Sequence, residues 1–148
     1  MIHYKEGYKY QLVEGEHWFR IGDIREASYP PSPGGDASLD YWDASPFLRL
    51  YTNGTVVQRI GYSWDGASGP TIDDSTNMVP ALEHDGSYQL IRAGILPEDP
   101  WRKYFDKRFR KGMIYRNMNW FRAWYWFWSV RLFGHDAATI KRTVLTAR

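Results

Sequence analysis

The chain has 148 residues, 18% of them aromatic, and contains no cysteine. That length suits one domain with a hydrophobic core. The aromatic content excludes an intrinsically disordered chain, and the missing cysteines exclude both a disulfide framework and a thiolate metal site. The net charge of +2 hides a split: residues 1–100 carry seven Lys/Arg against fifteen Asp/Glu, and residues 101–148 carry twelve against two.

The amino-terminal stretch MIHYKEGYKYQLVEG has no cationic segment followed by an apolar run, so it does not read as a signal peptide. No run approaches the ~20 apolar residues of a bilayer span, and a cytoplasmic product, or one carried with a larger particle, is expected. Residues 1–64 read as strands. YKYQLVE sets Tyr8, Tyr10 and Leu12 against polar neighbours with period two, and HWFRIG is a second short run. PFLRLYTNGTVVQRIGYSW holds the clearest hairpin signal, because Asn53-Gly54 lies between two β-rich arms and Asn-Gly favours a type I′ turn. SYPPSPGGDAS reads as an inserted loop, and DGASGPTIDDSTN over residues 65–77 as a second irregular stretch.

Three helices are predicted next. The first runs from about Met78 to Ala93, with Ser75, Thr76 and Asn77 as candidate caps and Gly94 as its stop. The second opens with Asp99 as N-cap and Pro100 at the first helical position. Trp101, Phe105, Phe109 and Met113 form its core face at four-residue spacing. The third, from about Asn119 to Phe133 and ended by Gly134, is apolar almost all round. Such a helix is either buried or lies in a membrane interface, and in so small a domain a buried central helix is favoured. Residues 135–148 form a weakly patterned tail, and no internal repeat is present. The expected fold is α+β in a single domain: a small antiparallel β-sheet in the N-terminal half (1–64), a loop (65–77), and a three-helix C-terminal half (78–134).

The chemistry concentrates at ALEHDGSY, where His84 and Asp85 stand side by side in a helix that otherwise reads as buried. Buried ionisable groups are costly unless paired, hydrogen-bonded or metal-bound. Residues 101–134 contain nine Lys/Arg and a single acid, Asp106, at the edge of the core face with Arg102 one turn back. An Arg102–Asp106 pair within the helix is one explanation. The short connection GILPED offers another, since it makes the first two helices antiparallel neighbours and can set His84 opposite Asp106. A carboxylate that accepts the Nδ1–H of a histidine fixes its tautomer and raises its basicity. Asp85 points about 100° further round the helix and is then available as an oxygen ligand. Together with Asp65 and loop carbonyls near Gly66 and Gly69 it would suit calcium, whereas a cluster of His84, Asp85, Asp65 and Asp106 would suit a transition metal.

Two resemblances follow from these residues. DGASGP, ALEHDGSY, RKYFDKRFRKGM and VRLFG, in this order over residues 65–134, are similar to an uncharacterised family of small phage and prophage proteins. Its members read D-x-A-S-x-P, L-H-D-x-x-Y, R-x-x-A-D-x-x-F-x-x-x-M and V-R-x-F-G. More distantly, His84-Asp85 with Tyr88, Asp106 with Phe109 and Met113, and Val130 with Phe133-Gly134 resemble the bacterial branch of secreted phospholipase A2. That resemblance implies His84 as the base that activates water and Asp106 as its orienter. It further implies Asp85, Asp65 and the carbonyl of Gly66 as calcium ligands, with Tyr88 and Arg102 in support. The chain departs from those enzymes in lacking cysteines and an export signal, and its strands have no counterpart there.

Three functions are compatible with the sequence. The first is a phage-associated, calcium-dependent lipid ester hydrolase acting at the host envelope. The second is a non-enzymatic virion or tail protein that docks on other virion proteins. The third is an HD-type phosphohydrolase holding a transition metal. An anionic phospholipid surface is a candidate partner, since the cationic second helix and aromatic third helix would suit one. Nucleic acid is not expected, because the aromatics of the basic helix fall on its core face and cannot serve as stacking platforms. GYSWDG is not a nucleophile elbow, since its second glycine comes one residue late.

Overall fold

The computed structural model describes residues 3–5, 10–22, 24, 41–65, 74–135 and 138. The Pro/Gly/Ser loop, Gly66 and Gly69, and nearly all of the tail lie outside this set. Seven strands are described: β1 (His3–Lys5), β2 (Tyr10–Glu14), β3 (His17–Arg20), β4 (Tyr41–Ser45), β5 (Leu48–Tyr51), β6 (Thr55–Gln58) and β7 (Ser63–Trp64). Three helices follow, α1 (Met78–Arg92), α2 (Glu98–Tyr115) and α3 (Trp120–Phe133), so the fold is α+β as expected.

The strands make two antiparallel sheets where one was expected: β1-β2-β7 and β3-β6-β5-β4. The chain passes from one to the other at two glycines of positive φ, Gly15 (+68°) between β2 and β3, and Gly61 (+93°) between β6 and β7. Only glycine enters that region at little cost, so both long strands turn there. The two strands stay bonded across the turn, with Leu12 N–H donating to Tyr62 O and Gly61 N–H donating to Leu12 O. Strand β4, whose YWDAS carries little alternation, was not separately foreseen; it is held to β5 by a two-pronged Arg49–Asp43 pair at 2.7 and 2.9 Å.

The expected hairpin joins β5 to β6, but its turn is not type I′. Gly54 N–H donates to Tyr51 O at 2.9 Å, so Thr52 and Asn53 are the central pair. Only Gly54 of the three loop residues has positive φ (+79°). This is the three-residue loop in which an ordinary turn is followed by a left-handed glycine. Asn53 Oδ1 accepts from Thr55 N–H at 2.9 Å, the local bond that asparagine makes two residues on, and φ at Asn53 is not positive.

Leu12, Leu48, Leu50 and Val56 bring the sheets into one core with Leu82 and Leu90 of α1, Phe105 and Met113 of α2, and Trp126 of α3. Helix α1 docks closely on β6. Gln58 is fully buried and donates from Nε2 to Leu82 O at 2.7 Å, and a Cβ at Gly86 would come within 2.6 Å of that nitrogen. The predicted helix ends hold with two changes. Gly94 closes α1 in a Schellman arrangement, with Ile95 N–H on Leu90 O and Gly94 N–H on Ile91 O. Asp99, expected as the cap of α2, instead lies inside it with extended dihedrals, and Pro97 holds the cap position, whereas Asn119 caps α3 by accepting from Phe121 N–H. Asn77 occupies the cap position of α1, but its side chain accepts from Asp74 N–H in the preceding loop and not from the helix.

Helix α3 departs from expectation. It is not the buried central helix: only Ala123 and Trp126 are buried, while Phe121 and Leu132 are each 67% exposed and Phe133 80%. The packing instead runs sheet to α1, α1 to α2, and α2 to α3, so α3 is the outer layer with one face uncovered.

Gly54 gives a direct check of this frame. A Cβ there would overlap Gly22 O, at 1.4 Å, besides being strained by the positive φ. Gly54→Ala is expected to lower stability by about 2–4 kcal/mol, measured by urea unfolding.

Candidate active site

Helices α1 and α2 lie against each other, and on the facing sides His84 and Asp106 meet. The nitrogen that meets Asp106 is not the expected Nδ1 but Nε2, the one farther from the backbone, 2.8 Å from Oδ1. The same oxygen accepts the Tyr88 hydroxyl at 2.7 Å, and Asp106 Oδ2 accepts Arg131 NH1 at 2.9 Å. Asp106 has no solvent exposure. Burial alone would raise its pKa, but the bonds from His84, Tyr88 and Arg131 together outweigh this and hold the carboxyl below its ordinary value. Tyr88 is pushed in the other direction, its hydroxyl raised first by burial and then by the Asp106 charge, so it remains a donor.

An ionised carboxylate only accepts, so the hydrogen in the His84–Asp106 bond belongs to Nε2. In the neutral ring the lone pair then sits on Nδ1, which has no hydrogen-bond partner among the described residues. The ring is clamped between Tyr88 and Phe109, with centroids 4.2 and 4.8 Å away. A histidine with one nitrogen bonded to a buried carboxylate, and its plane fixed by two rings, is built to take up a proton at the other nitrogen.

The structure thus brings His84, Asp106 and Tyr88 together as expected. It does not form the Arg102–Asp106 pair. Arg102 reaches across to α3, donating to Val130 O at 3.2 Å and Arg131 O at 2.8 Å, and lies 3.7 Å from Glu98. By tying down those carbonyls it positions Arg131, which is the cation that Asp106 binds. The sequence gives no site role to Arg131, and reads Gly134 only as the end of α3 and part of a motif. A lone arginine within the apolar stretch WYWFWSVRLFG was the available signal for the first. Gly134 is required by close approach, since a Cβ would come within 2.8 Å of the Tyr88 hydroxyl and 2.4 Å of Val130 O.

Asp85 stands apart from this network. It is half-buried, and Oδ2 accepts from the backbone N–H of Asp65 at 3.3 Å. Desolvation by burial raises its pKa to about 6, against the opposing charge of His84 and the bond from Asp65. Tyr62, buried nearby, has its hydroxyl raised by burial and then by the Asp85 charge. Asp65 itself is exposed, and Gly66 lies outside the described residues. Among the described residues no group of three or more His, Cys, Asp or Glu side chains gathers to hold a metal.

A second ion network braces the site from the sheet side. Glu83 accepts from Arg108 at 3.1 Å and lies 2.9 Å from His17 Nε2, linking β3, α1 and α2 one residue before His84. Compared with known protein families, curated proteins and solved structures, the chain matches none.

The two carboxylates should behave oppositely when altered. Asp106→Ala leaves Arg131 and His84 without their buried acceptor and is expected to cost about 3–5 kcal/mol. Because the folded pKa of Asp106 is depressed, its stabilisation is present above the unfolded value of 3.8 and is lost as pH falls through the folded pKa. Asp85 has a raised folded pKa, so its ionisation penalises folding increasingly from pH 3.8 to about 6 and fully above that. Without divalent cations at neutral pH, Asp85→Asn should therefore stabilise the chain, by on the order of 1–2 kcal/mol once partial exposure is allowed for. Urea unfolding of both variants at pH 7 and pH 5 checks the signs.

Proposed function

We propose that this chain is a calcium-assisted hydrolase of phospholipid esters, carried by a phage particle and acting at the host envelope. The observation that carries the chemistry is the 2.8 Å bond from His84 Nε2–H to buried Asp106, which leaves the Nδ1 lone pair available. In the reaction Nδ1 takes a proton from water as the water oxygen bonds to the ester carbonyl carbon. The proton then passes to the departing alkoxide as the C–O bond breaks, yielding a fatty acid and a lysophospholipid. Asp106 is a positioning residue, holding the ring in the required tautomer and stabilising the imidazolium that forms. Tyr88 and Arg131 keep Asp106 ionised and fixed.

The donor chemistry beside the base fits a hard cation. Asp85 is a carboxylate whose main perturbation is desolvation, and Asp65 is close enough for its backbone N–H to reach it. Two carboxylates plus backbone carbonyls such as that of Gly66 make an oxygen-only set of the kind calcium takes. When bound there, calcium supplies positive charge against the charge that develops on the ester carbonyl oxygen. The phage setting follows from the motif resemblance. An HD-type phosphohydrolase would need His84 and Asp106 as ligands of one metal, but these two share a hydrogen and the second oxygen of Asp106 is bound by Arg131.

The full chain, mixed with diacyl phosphatidylglycerol vesicles and calcium, should release fatty acid, and chelation should stop it. His84→Gln is expected to lower kcat by about 10²–10⁴ with an unchanged circular dichroism spectrum. Asp85→Asn should abolish the dependence on calcium along with most of the rate. A folded His84→Gln chain that releases fatty acid at the parental rate contradicts the assignment. A folded parental chain that is inactive with every divalent cation leaves the network as a device that specifies helix packing in a virion protein.

A further inference from the structure

We propose that the outer side of α2 and α3 docks the chain on an anionic lipid bilayer, with α3 lying in the plane of the interface. Trp120, Trp124 and Trp128 repeat at four-residue spacing along α3, and Phe121, Tyr125 and Leu132 fill the flanking positions. All six are exposed, between 39% and 67%. The two cations of the helix turn away from this face, Arg131 to Asp106 and Arg122 to Asp74 at 2.6 Å. The uncovered surface is therefore continuous and apolar, which marks a surface of interaction. Its composition of tryptophan and tyrosine, with aliphatics nearly absent, suits the boundary between headgroups and acyl chains, where a ring is half solvated and its polar edge stays wet. Fourteen residues extend about 21 Å, too short to cross a hydrocarbon layer, and no helix among the described residues is long and apolar enough to do so.

The adjoining surface selects the charge of the lipid. Lys103, Lys107 and Lys111 form an exposed ridge along α2, again at four-residue spacing. Arg110 joins that ridge to the aromatic face, its guanidinium 5.7 Å from the Trp120 ring and 5.9 Å from the Phe127 ring. Behind the ridge a groove of about 460 Å³ between α1 and α2 has four cations in its lining, Lys107, Arg108, Lys111 and Arg116, and one acid, Glu83. Residues 101–134 carry nine Lys/Arg and one acid, so a second copy presenting the same face would meet like charge, whereas anionic headgroups meet opposite charge. What docking serves rests on the lipid-ester reading above, but the test uses no turnover, so the two can fail separately.

The test is co-sedimentation of the full chain with vesicles of ether-linked phosphatidylglycerol or ether-linked phosphatidylcholine, in chelator, with tryptophan emission recorded. Binding to the anionic vesicles, a blue shift, and weakening at high salt are expected. The double variant Trp124→Ser/Trp128→Ser should lower partitioning at least tenfold. The triple variant Lys103→Glu/Lys107→Glu/Lys111→Glu should remove the preference for phosphatidylglycerol. The altered side chains are all exposed, and circular dichroism confirms that each variant folds. The inference is overturned if the parental chain does not bind anionic vesicles, or if the tryptophan variant binds equally well. It is also overturned if the parental chain sediments as a dimer that the tryptophan variant converts to monomer, since the face would then be filled by a second copy.

Discussion

A carboxylate with no solvent exposure is the constraint on which the helical half depends. Asp106 accepts hydrogen bonds from α1 through His84 and Tyr88, and from α3 through Arg131, while it belongs to α2. Moving any of the three helices by an ångström would leave charge buried without a partner, a penalty large against the whole stability of a domain this size. The apolar residues around it, Phe105, Phe109 and Trp126, supply the bulk of the attraction but are less exacting about position. The carboxylate thus sets geometry while the hydrophobic core supplies energy. The arrangement that makes the fold specific is the same one that orients the imidazole.

The site was legible in sequence to the extent that its chemistry was anomalous. A lone acid among nine cations, and a His-Asp pair in an apolar helix, both marked buried polar work, and the short GILPED connection allowed the two helices to be paired. The partner of Asp106 was less accessible. Arg102 sits one turn away on the same helix and Arg131 lies 25 residues on, and only the crossing of α2 with α3 decides between them. The requirement for Gly134 is likewise tertiary, since it concerns the approach of a tyrosine from another helix.

The strands show a similar division. The hairpin and its glycine were visible as local chemistry, but the turn type was not, because Asn-Gly allows positive φ at both residues and here only Gly54 adopts it. The division into two sheets depends on Gly15 and Gly61, whose neighbours give no sign that the chain must turn there. Helix α3 illustrates a limit of periodicity. A segment apolar all round carries no phase, and the pattern alone cannot tell a helix surrounded by protein from one that leaves a face outward. The order of packing, with α3 outermost, settles it.

The cationic and acidic halves now have distinct places. Among the described residues, Glu83 with Arg108 and Asp74 with Arg122 pair acids of the first hundred residues with cations of the second half. The lysines of α2 take no part in those pairs and remain on the surface beside the aromatic face. The base and the proposed docking surface are joined through α3, because Arg131 is carried by the same helix as the exposed tryptophans.

The central claim is that His84 is held with its hydrogen on Nε2 and a lone pair on Nδ1. Long-range ¹⁵N–¹H correlation spectra of the histidine rings, recorded on the neutral imidazole, read this directly. The account predicts an Nε2–H tautomer for His84 that becomes a mixture in Asp106→Asn. An Nδ1–H tautomer in the parental chain would contradict it.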